Sequence, residues 1–324
     1  MRHAYARLSF ALAAGLGLAS PPASAQAYPT KAIRFIVPAA AAGPSDFQAR
    51  LVATQLAEVL GQPVIVDNRA GAGGEIGMEI AKQAPADGYT MVIGAGSTLA
   101  VRPMMPRKPR YDALKDFAPI TLMSSAPYVV TAYPGIQAKT LKELVASAVA
   151  KPKSLTYGTS GSGSGIHLVT EIFLMTAGIA GVHVPYKGAA PVNLALLAGE
   201  VDVLFNTAIP AIMYVKSKRL RGLAVTSSQR LPVIPDVPTI AEVGYPGYDY
   251  TSWQGIMVRG GTPATVISRL NTEIVKILNL PDIKSKIEEQ GNTVSANTSE
   301  QFAAFIRSEM AKWGKVIKAV GVQE

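Results

Sequence analysis

The sequence lacks cysteine entirely, and its 324 residues include only three histidines and two tryptophans. Without cysteine the chain can form no disulfide, no thiolate nucleophile and no Cys-ligated metal site. His167 and His183 are isolated in the sequence, and no clustered Asp-x-Asp pattern offers carboxylate ligands. We therefore expect structural roles for both histidines, and we predict no metal and no other cofactor.

Long apolar runs are missing after the N-terminus, where Arg2, His3 and Arg7 precede the run "LSFALAAGLGLAS". This run is about thirteen residues long, short of the roughly 20 that span a bilayer. A basic start, an apolar centre and the ending Ala23-Ser24-Ala25 are typical of a secretory signal peptide rather than of a membrane anchor. We predict cleavage after Ala25, export to the periplasm, and a mature chain that is not embedded in the membrane.

Acidic residues are fewer than basic ones, so the formal net charge is +9. A positive chain attracts anionic partners over a distance, although net charge does not locate a site. Nucleic acid is one such partner, but the densest basic run, "KSKRLR" at 216–221, is not interleaved with aromatic residues. We expect a small anion and no nucleic acid.

Short β-like runs alternate with helical patterns along most of the chain, beginning with the strand 33–37 and the helix 46–60. This alternation predicts an α/β protein with parallel sheets. It is interrupted at 117–134, which holds two β runs without a helix, and at the Pro- and Gly-rich 231–250. The pattern predicts two lobes, each a mostly parallel sheet flanked by helices, with a ligand cleft between them. We assign residues 26–125 and 250–324 to lobe 1 and residues 126–249 to lobe 2.

Two loops of small residues are candidates for holding the anion. In "IRFIVPAAAAGPSD" (33–46) a strand breaks at a proline and leads into a helix, and in "YGTSGSGSGIH" (157–167) hydroxyls alternate with glycines between a strand and a helix. Helix N-termini offer free N–H groups and the positive end of the helix dipole. For the second loop, a flexible turn with a serine N-cap is the alternative. Neither the G-x-S-x-G elbow of hydrolases nor a Walker A loop fits it.

A third glycine-rich segment, "GAGGEIG" (71–77), has the spacing G-x-G-x-x-x-G. Dinucleotide-binding loops have G-x-G-x-x-G instead. We interpret this segment as a tight turn followed by close helix packing.

Seven segments, in order from Tyr28 to Gly321, carry a resemblance to a known family: "YPTKAIRFIVP", "DNRAGAGGEIG", "APADGYT", "HVPYKGAAPV", "AVTSSQRLPVIPDVPTIAEVGYPGY", "GTPATVISRLN" and "FAAFIRSEMAKWGKVI". Together they resemble the substrate-binding proteins of tripartite tricarboxylate transporters, also called the Bug family. The resemblance implies a two-lobed periplasmic-binding-protein (Venus flytrap) fold. It also implies that a carboxylate is gripped between the loop after the first strand and a Ser/Gly loop of the other lobe.

The first loop departs from the family pattern, because Ala39 stands where an aromatic residue is usual and Ala42 where a glycine is usual. Alanine is strained at positive φ, so we expect the loop backbone to differ. Ser97 and Asn206 end other strands and are further candidates. From the resemblance and from these two strand ends, the predicted ligand contacts are Ala39, Ala41, Ala42, Gly43, Asp46, Ser97, Ser160, Gly161, Ser162, Ser164 and Asn206.

The resemblance implies a receptor without enzymatic activity. It would capture a di- or tricarboxylate or an aromatic acid as a monomer and deliver it to the membrane subunits of a transporter. An exported carboxylate sensor would have the same sequence features, so that alternative stays open. An exported hydrolase or lyase is an alternative from another class, against which the missing nucleophile motif and the scarcity of histidine argue.

Overall fold

Two sheets that share one long strand form the centre of the protein. The computed structural model describes residues 28–320, and the predicted signal peptide at 1–25 lies outside the described residues. The strands are β1 (Ile33–Val37), β2 (Val64–Asn68), β3 (Thr90–Ala95), β4 (Phe117–Ala132), β5 (Leu155–Thr159), β6 (Gly181–Pro185), β7 (Val203–Thr207), β8 (Arg221–Val225), β9 (Thr251–Arg259) and β10 (Thr293–Val294). The helices are α1 (Pro44–Leu60), α2 (Glu75–Gln83), α3 (Leu141–Ala150), α4 (Gly165–Ala177), α5 (Ala189–Ala198), α6 (Ala208–Lys216), α7 (Ala264–Leu278), α8 (Pro281–Glu288) and α9 (Ser299–Val320).

The shared strand is β4, which is 16 residues long. Its first part, from Phe117 to Pro127, pairs antiparallel with β9, and its last part, from Tyr128 to Ala132, pairs with β7 and β8. The sequence predicted two β runs here, and this was wrong. They form one continuous strand because backbone partners are available along its whole length.

The first sheet has the order β2-β1-β3-β9-β4-β10 and the second the order β6-β5-β7-β4-β8. We call the first sheet with its helices lobe 1 and the second lobe 2. Parallel pairing, as predicted, joins β1 to β2 and β3, and β5 to β6 and β7. The pairs that involve β4 or β9 are antiparallel, because the chain crosses between the lobes through these two strands. The predicted two-lobed α/β architecture is confirmed, and each sheet is mixed around its centre.

Two helices, α6 and α8, were missed in the sequence. In α6 a proline, Pro210, lies within the first turn, where its missing N–H costs no helical hydrogen bond. Similarly, α8 begins with Pro281. Both prolines were compatible with helix starts, and α6 is the more consequential omission because its N-terminus reaches the candidate site described below.

The segment 71–77 packs α2 closely against the beginning of the first small-residue loop. Gly74 is buried and has a φ of +97°, which a residue with a side chain rarely adopts. At Gly77 a Cβ atom would lie 2.9 Å from the Cα of Pro38, so only glycine fits without a shift of the backbone. The interpretation as a tight turn with close helix packing is confirmed, and the contact fixes the residue that follows β1.

We expect Gly77→Ala to destabilise the protein by about 1–3 kcal/mol, because the added methyl overpacks the contact with Pro38. Gly314→Ala is the matched control: it is also a helical glycine, but the nearest atom to its Cβ would be the flexible sulfur of Met104 at 3.3 Å. That control should be neutral or gain up to about 1 kcal/mol of helix propensity. Urea unfolding measures both, and equal effects of the two substitutions would contradict the packing role.

Candidate functional site

A cavity of about 670 Å³ lies between the lobes, at the level where β4 changes partners. Ser124 and Ala126 from the middle of β4 line it, together with Ser252, Trp253 and Gln254 from the start of β9. Among the described residues that line this cavity, none is Asp, Glu, Lys, Arg or His. The cavity is therefore neutral in its side chains, and any charge selectivity must come from the backbone.

Three helices begin at this cavity: α1 from lobe 1, and α5 and α6 from lobe 2. Their N-cap residues, Gly43, Gly188 and Thr207, make no side-chain capping hydrogen bond. The first turn of a helix has N–H groups without intrahelical acceptors, and the dipole adds about half a positive charge there. The cavity thus collects positive partial charge from both lobes without any cationic side chain.

The N-terminus of α1 is held in place by two side-chain hydrogen bonds to the central strands. Ser45 Oγ donates to Gln254 Oε1 at 2.7 Å, and Ser124 Oγ donates to Gln48 Oε1 at 2.7 Å. Ser45 and Gln48 are three residues apart on one face of α1, and Ser124 and Gln254 are paired positions on β4 and β9. Within residues 28–320, the Nε2 atom of the buried Gln48 has no hydrogen-bond partner.

The first loop has a left-handed residue at Ala42, whose φ is +61°. Alanine is strained in this conformation by about 1–2 kcal/mol. Asp46 stabilises the turn, since its Oδ2 accepts from the Ala42 N–H at 2.8 Å and from Arg50 Nε at 3.0 Å. The hydrogen bond from Arg50 is the main cause that lowers the pKa of the Asp46 carboxyl, while burial opposes it. The turn therefore tolerates alanine with support from a buried carboxylate.

A second cavity, of about 140 Å³, lies next to the first and shares Ala95, Ser252 and Trp253 with it. Ser97, Tyr128 and Gly165, the first residue of α4, also line it. Burial raises the pKa of Tyr128 to about 12, so its hydroxyl is a neutral hydrogen-bond donor at neutral pH. This small cavity offers hydroxyls rather than charges.

Trp253, which borders both cavities, is fixed by a buried carboxylate. Its Nε1–H donates to Glu309 Oε2 at 2.9 Å, and Trp313 Nε1–H donates to the same oxygen at 3.2 Å. Lys312 forms an ion pair with the other carboxylate oxygen of Glu309. The wall between the two cavities is thus set by α9 and does not depend on a ligand.

The Ser/Gly loop of lobe 2 is organised by the two histidines. Ser164 caps α4 by accepting from the His167 N–H at 3.2 Å, and His167 Nδ1 accepts from the Gly163 N–H at 3.1 Å. The rings of His167 and His183 stack at 4.2 Å. Structural roles for both histidines are confirmed, and the serine N-cap that was weighed for this loop is present.

The structure brings only part of the predicted contacts to the two cavities. Ala42 and Gly43 line the larger one and Ser97 the smaller one. Asn206 is buried and exchanges hydrogen bonds with Asn193, the shorter at 2.6 Å. The other predicted contacts also line neither cavity: Ala39, Ala41, Asp46, Ser160, Gly161, Ser162 and Ser164.

Sequence reasoning missed the lining residues Phe47, Trp253, Gln254, Thr207 and Ile209. Phe47 follows the predicted loop by one residue, so extending that loop into the first helical turn would have found it. Thr207 and Ile209 depend on the start of α6, which was not predicted. Trp253 and Gln254 carry no motif and are placed by strand pairing alone.

Two lobes around a neutral cleft at helix N-termini define a class, the two-lobed solute-binding receptors. The family model described as "Tripartite tricarboxylate transporter family receptor" matches residues 48–322. The chain therefore belongs to the tripartite tricarboxylate transporter receptor family, whose members are solute-binding receptors and not enzymes.

Curated relatives and solved structures agree with this membership. Protein BugT of Bordetella pertussis is 36% identical over 309 residues, covering 95% of this chain and 94% of that protein. The structure of R. palustris Rpa4515 with adipate is 33% identical at a TM-score of 0.80, covering 91% of this chain and 98% of that one. MatC from Rhodopseudomonas palustris with bound malate is 27% identical at a TM-score of 0.76, covering 90% and 100% of the two chains.

The histidine pair predicts a loss of stability in mild acid. Burial lowers the pKa of His167 and of His183 from the ordinary value of 6.5, and for His183 the neighbouring His167 adds to this. The unfolded chain therefore binds more protons than the folded one below about pH 6.5. Stability that is present above this pH is lost as the pH falls through the folded pKa values.

We expect the free energy of unfolding, from urea titrations, to fall between about pH 7.5 and about pH 5.5. In His167→Gln a neutral acceptor remains for the Gly163 N–H but one titrating group is gone, so the fall should be smaller. An unchanged pH dependence in this variant would contradict the assignment. Lys187→Gln, a change of an exposed lysine on the loop before α5, is the control and should keep the full pH dependence.

Proposed function

We propose that the protein is a periplasmic receptor that captures an organic carboxylate in the larger cavity and delivers it to the membrane subunits of a tripartite tricarboxylate-type transporter. The observation that carries this proposal is the meeting of three helix N-termini without side-chain caps at one neutral cavity. Backbone N–H groups and helix dipoles bind a carboxylate without an arginine. The adipate and malate held by two structural relatives support a carboxylate ligand.

Binding would be coupled to closure of the lobes. α1 belongs to lobe 1, whereas α5 and α6 belong to lobe 2, so a ligand in contact with all three favours the closed form over the open one. We propose residues 26–125 with 250–324 as lobe 1 and 126–249 as lobe 2. These boundaries fall near Ala126 on β4 and just before β9, where the two sheets meet.

The affinity that such a site supports is in the micromolar range. A hydrogen bond to a charged group contributes roughly 1.5–3 kcal/mol. Three or four of them, after the cost of ordering the ligand and lobes, give about −8 kcal/mol, which corresponds to a Kd of about 1 μM.

We further propose that the receptor is exported with the help of the segment 1–25 and acts as a monomer. Among the helices of residues 28–320, none is long and apolar enough to cross a membrane. Recovery of the protein in a periplasmic extract tests the export. Size-exclusion chromatography with light scattering on the protein from that extract tests whether it is a monomer.

Ala42 offers a direct test, since it lines the cavity and sits at positive φ, where Asp and Asn are tolerated better than most residues. We expect Ala42→Asp to weaken carboxylate binding by about tenfold or more through like-charge repulsion, and the isosteric Ala42→Asn to change it by less than about threefold. Isothermal titration calorimetry with mono- and dicarboxylates measures this. If no carboxylate binds the wild type, or if Ala42→Asp and Ala42→Asn change carboxylate affinity equally, the proposal is wrong.

A further inference from the structure

We propose that this cleft selects a carboxylate with one charged end and an apolar body over a compact dicarboxylate such as malate. This inference rests on the proposed function and specifies its ligand class. It follows from an asymmetry between the two cavities and from the apolar residues that face the larger one.

Only the larger of the two cavities has α-helix N-termini without side-chain caps. In the larger cavity the N-termini of α1, α5 and α6 lack side-chain caps, whereas at the smaller cavity the N-terminus of α4 is already capped by Ser164. No charged side chain of the described residues lines either cavity. A second carboxylate would thus leave water for hydroxyls and apolar groups, without a cation to offset its desolvation.

The larger cavity also offers apolar contacts to the body of a ligand. Phe47, half-buried on the first turn of α1, stacks with no other aromatic ring of residues 28–320, unlike Trp253, which contacts Phe302 and Phe305. Ile209, on the first turn of α6, is 39% exposed. One apolar side chain from each lobe therefore remains partly open to water beside a cavity of about 670 Å³, and an apolar ligand body would cover both.

Calorimetric titration of the full mature chain with phenylacetate, hexanoate, malate and adipate tests the selectivity. We expect phenylacetate or hexanoate to bind at least about tenfold more tightly than malate or adipate. If a dicarboxylate binds most tightly, the inference is overturned while the proposed function stands. If none of the four binds and a wider carboxylate screen is also negative, the proposed function itself fails.

Two substitutions test the residues. Phe47→Leu should weaken phenylacetate binding at least about fivefold and leave malate within about twofold, while Tyr214→Leu, a half-buried aromatic of α6 that lines neither cavity, should change neither.

Ile209→Lys supplies the missing cation at an exposed position, so it should shift the malate-to-phenylacetate affinity ratio toward malate by about tenfold. Met213→Lys, on the same helix, 54% exposed and outside both cavities, is the matched control and should leave the ratio unchanged. Equal effects of Ile209→Lys and Met213→Lys on the affinity ratio would overturn the assignment. An equal loss of affinity for phenylacetate and for malate in Phe47→Leu would also overturn it. Thermal unfolding of each variant confirms that it is folded.

Discussion

The strand β4 forms backbone hydrogen bonds in both sheets, and the position of the larger cavity depends on this sharing. Its first part is bonded to β9 and its last part to β7 and β8, so the two sheets cannot separate along it. β4 changes partners between Pro127 and Tyr128. Ser124 and Ala126 lie in this region and line the larger cavity. The cavity therefore sits beside the connection between the lobes, where a ligand can contact both.

Around this connection the protein uses neutral groups to present an electropositive surface. Hydrogen bonds between Ser45 and Gln254 and between Ser124 and Gln48 fix the start of α1 against the central strands. Asp46, a charged residue in the first turn of α1, accepts hydrogen bonds from Arg50 and from the Ala42 N–H. These hydrogen bonds lower the pKa of the Asp46 carboxyl. Its negative charge is thus balanced within the loop, and the uncapped N–H groups remain for a ligand. A site of this kind depends on exact placement of the backbone, because a dipole acts only over a short distance.

Two polar clusters, one in each lobe, hold segments beside the cavities. Glu309 accepts from both tryptophans and so holds the wall between the two cavities. His167 and His183 hold the Ser/Gly loop, and the neutral state of His167 is required for it to accept from Gly163. The first cluster includes Trp253, which lines both cavities, and the second holds the loop before Gly165, which lines the smaller one. The same low-dielectric surroundings that stabilise these contacts depress the histidine pKa values.

The sequence by itself determined the α/β class and the structural role of the two histidines, because these follow from local periodicity and residue scarcity. It also determined the family, through the resemblance of seven segments in order, and it placed Ala42 and Gly43 in the loop after the first strand. It also predicted a helix after the Ser/Gly loop but left open whether the loop serines would contact an anion or cap that helix. Only the tertiary structure joined two β runs into β4, placed Asn206 against Asn193, and brought Phe47, Trp253 and Ile209 to one cavity. These outcomes depend on strand pairing and packing between residues that are as many as 206 positions apart, such as Phe47 and Trp253, and no local pattern encodes such pairings.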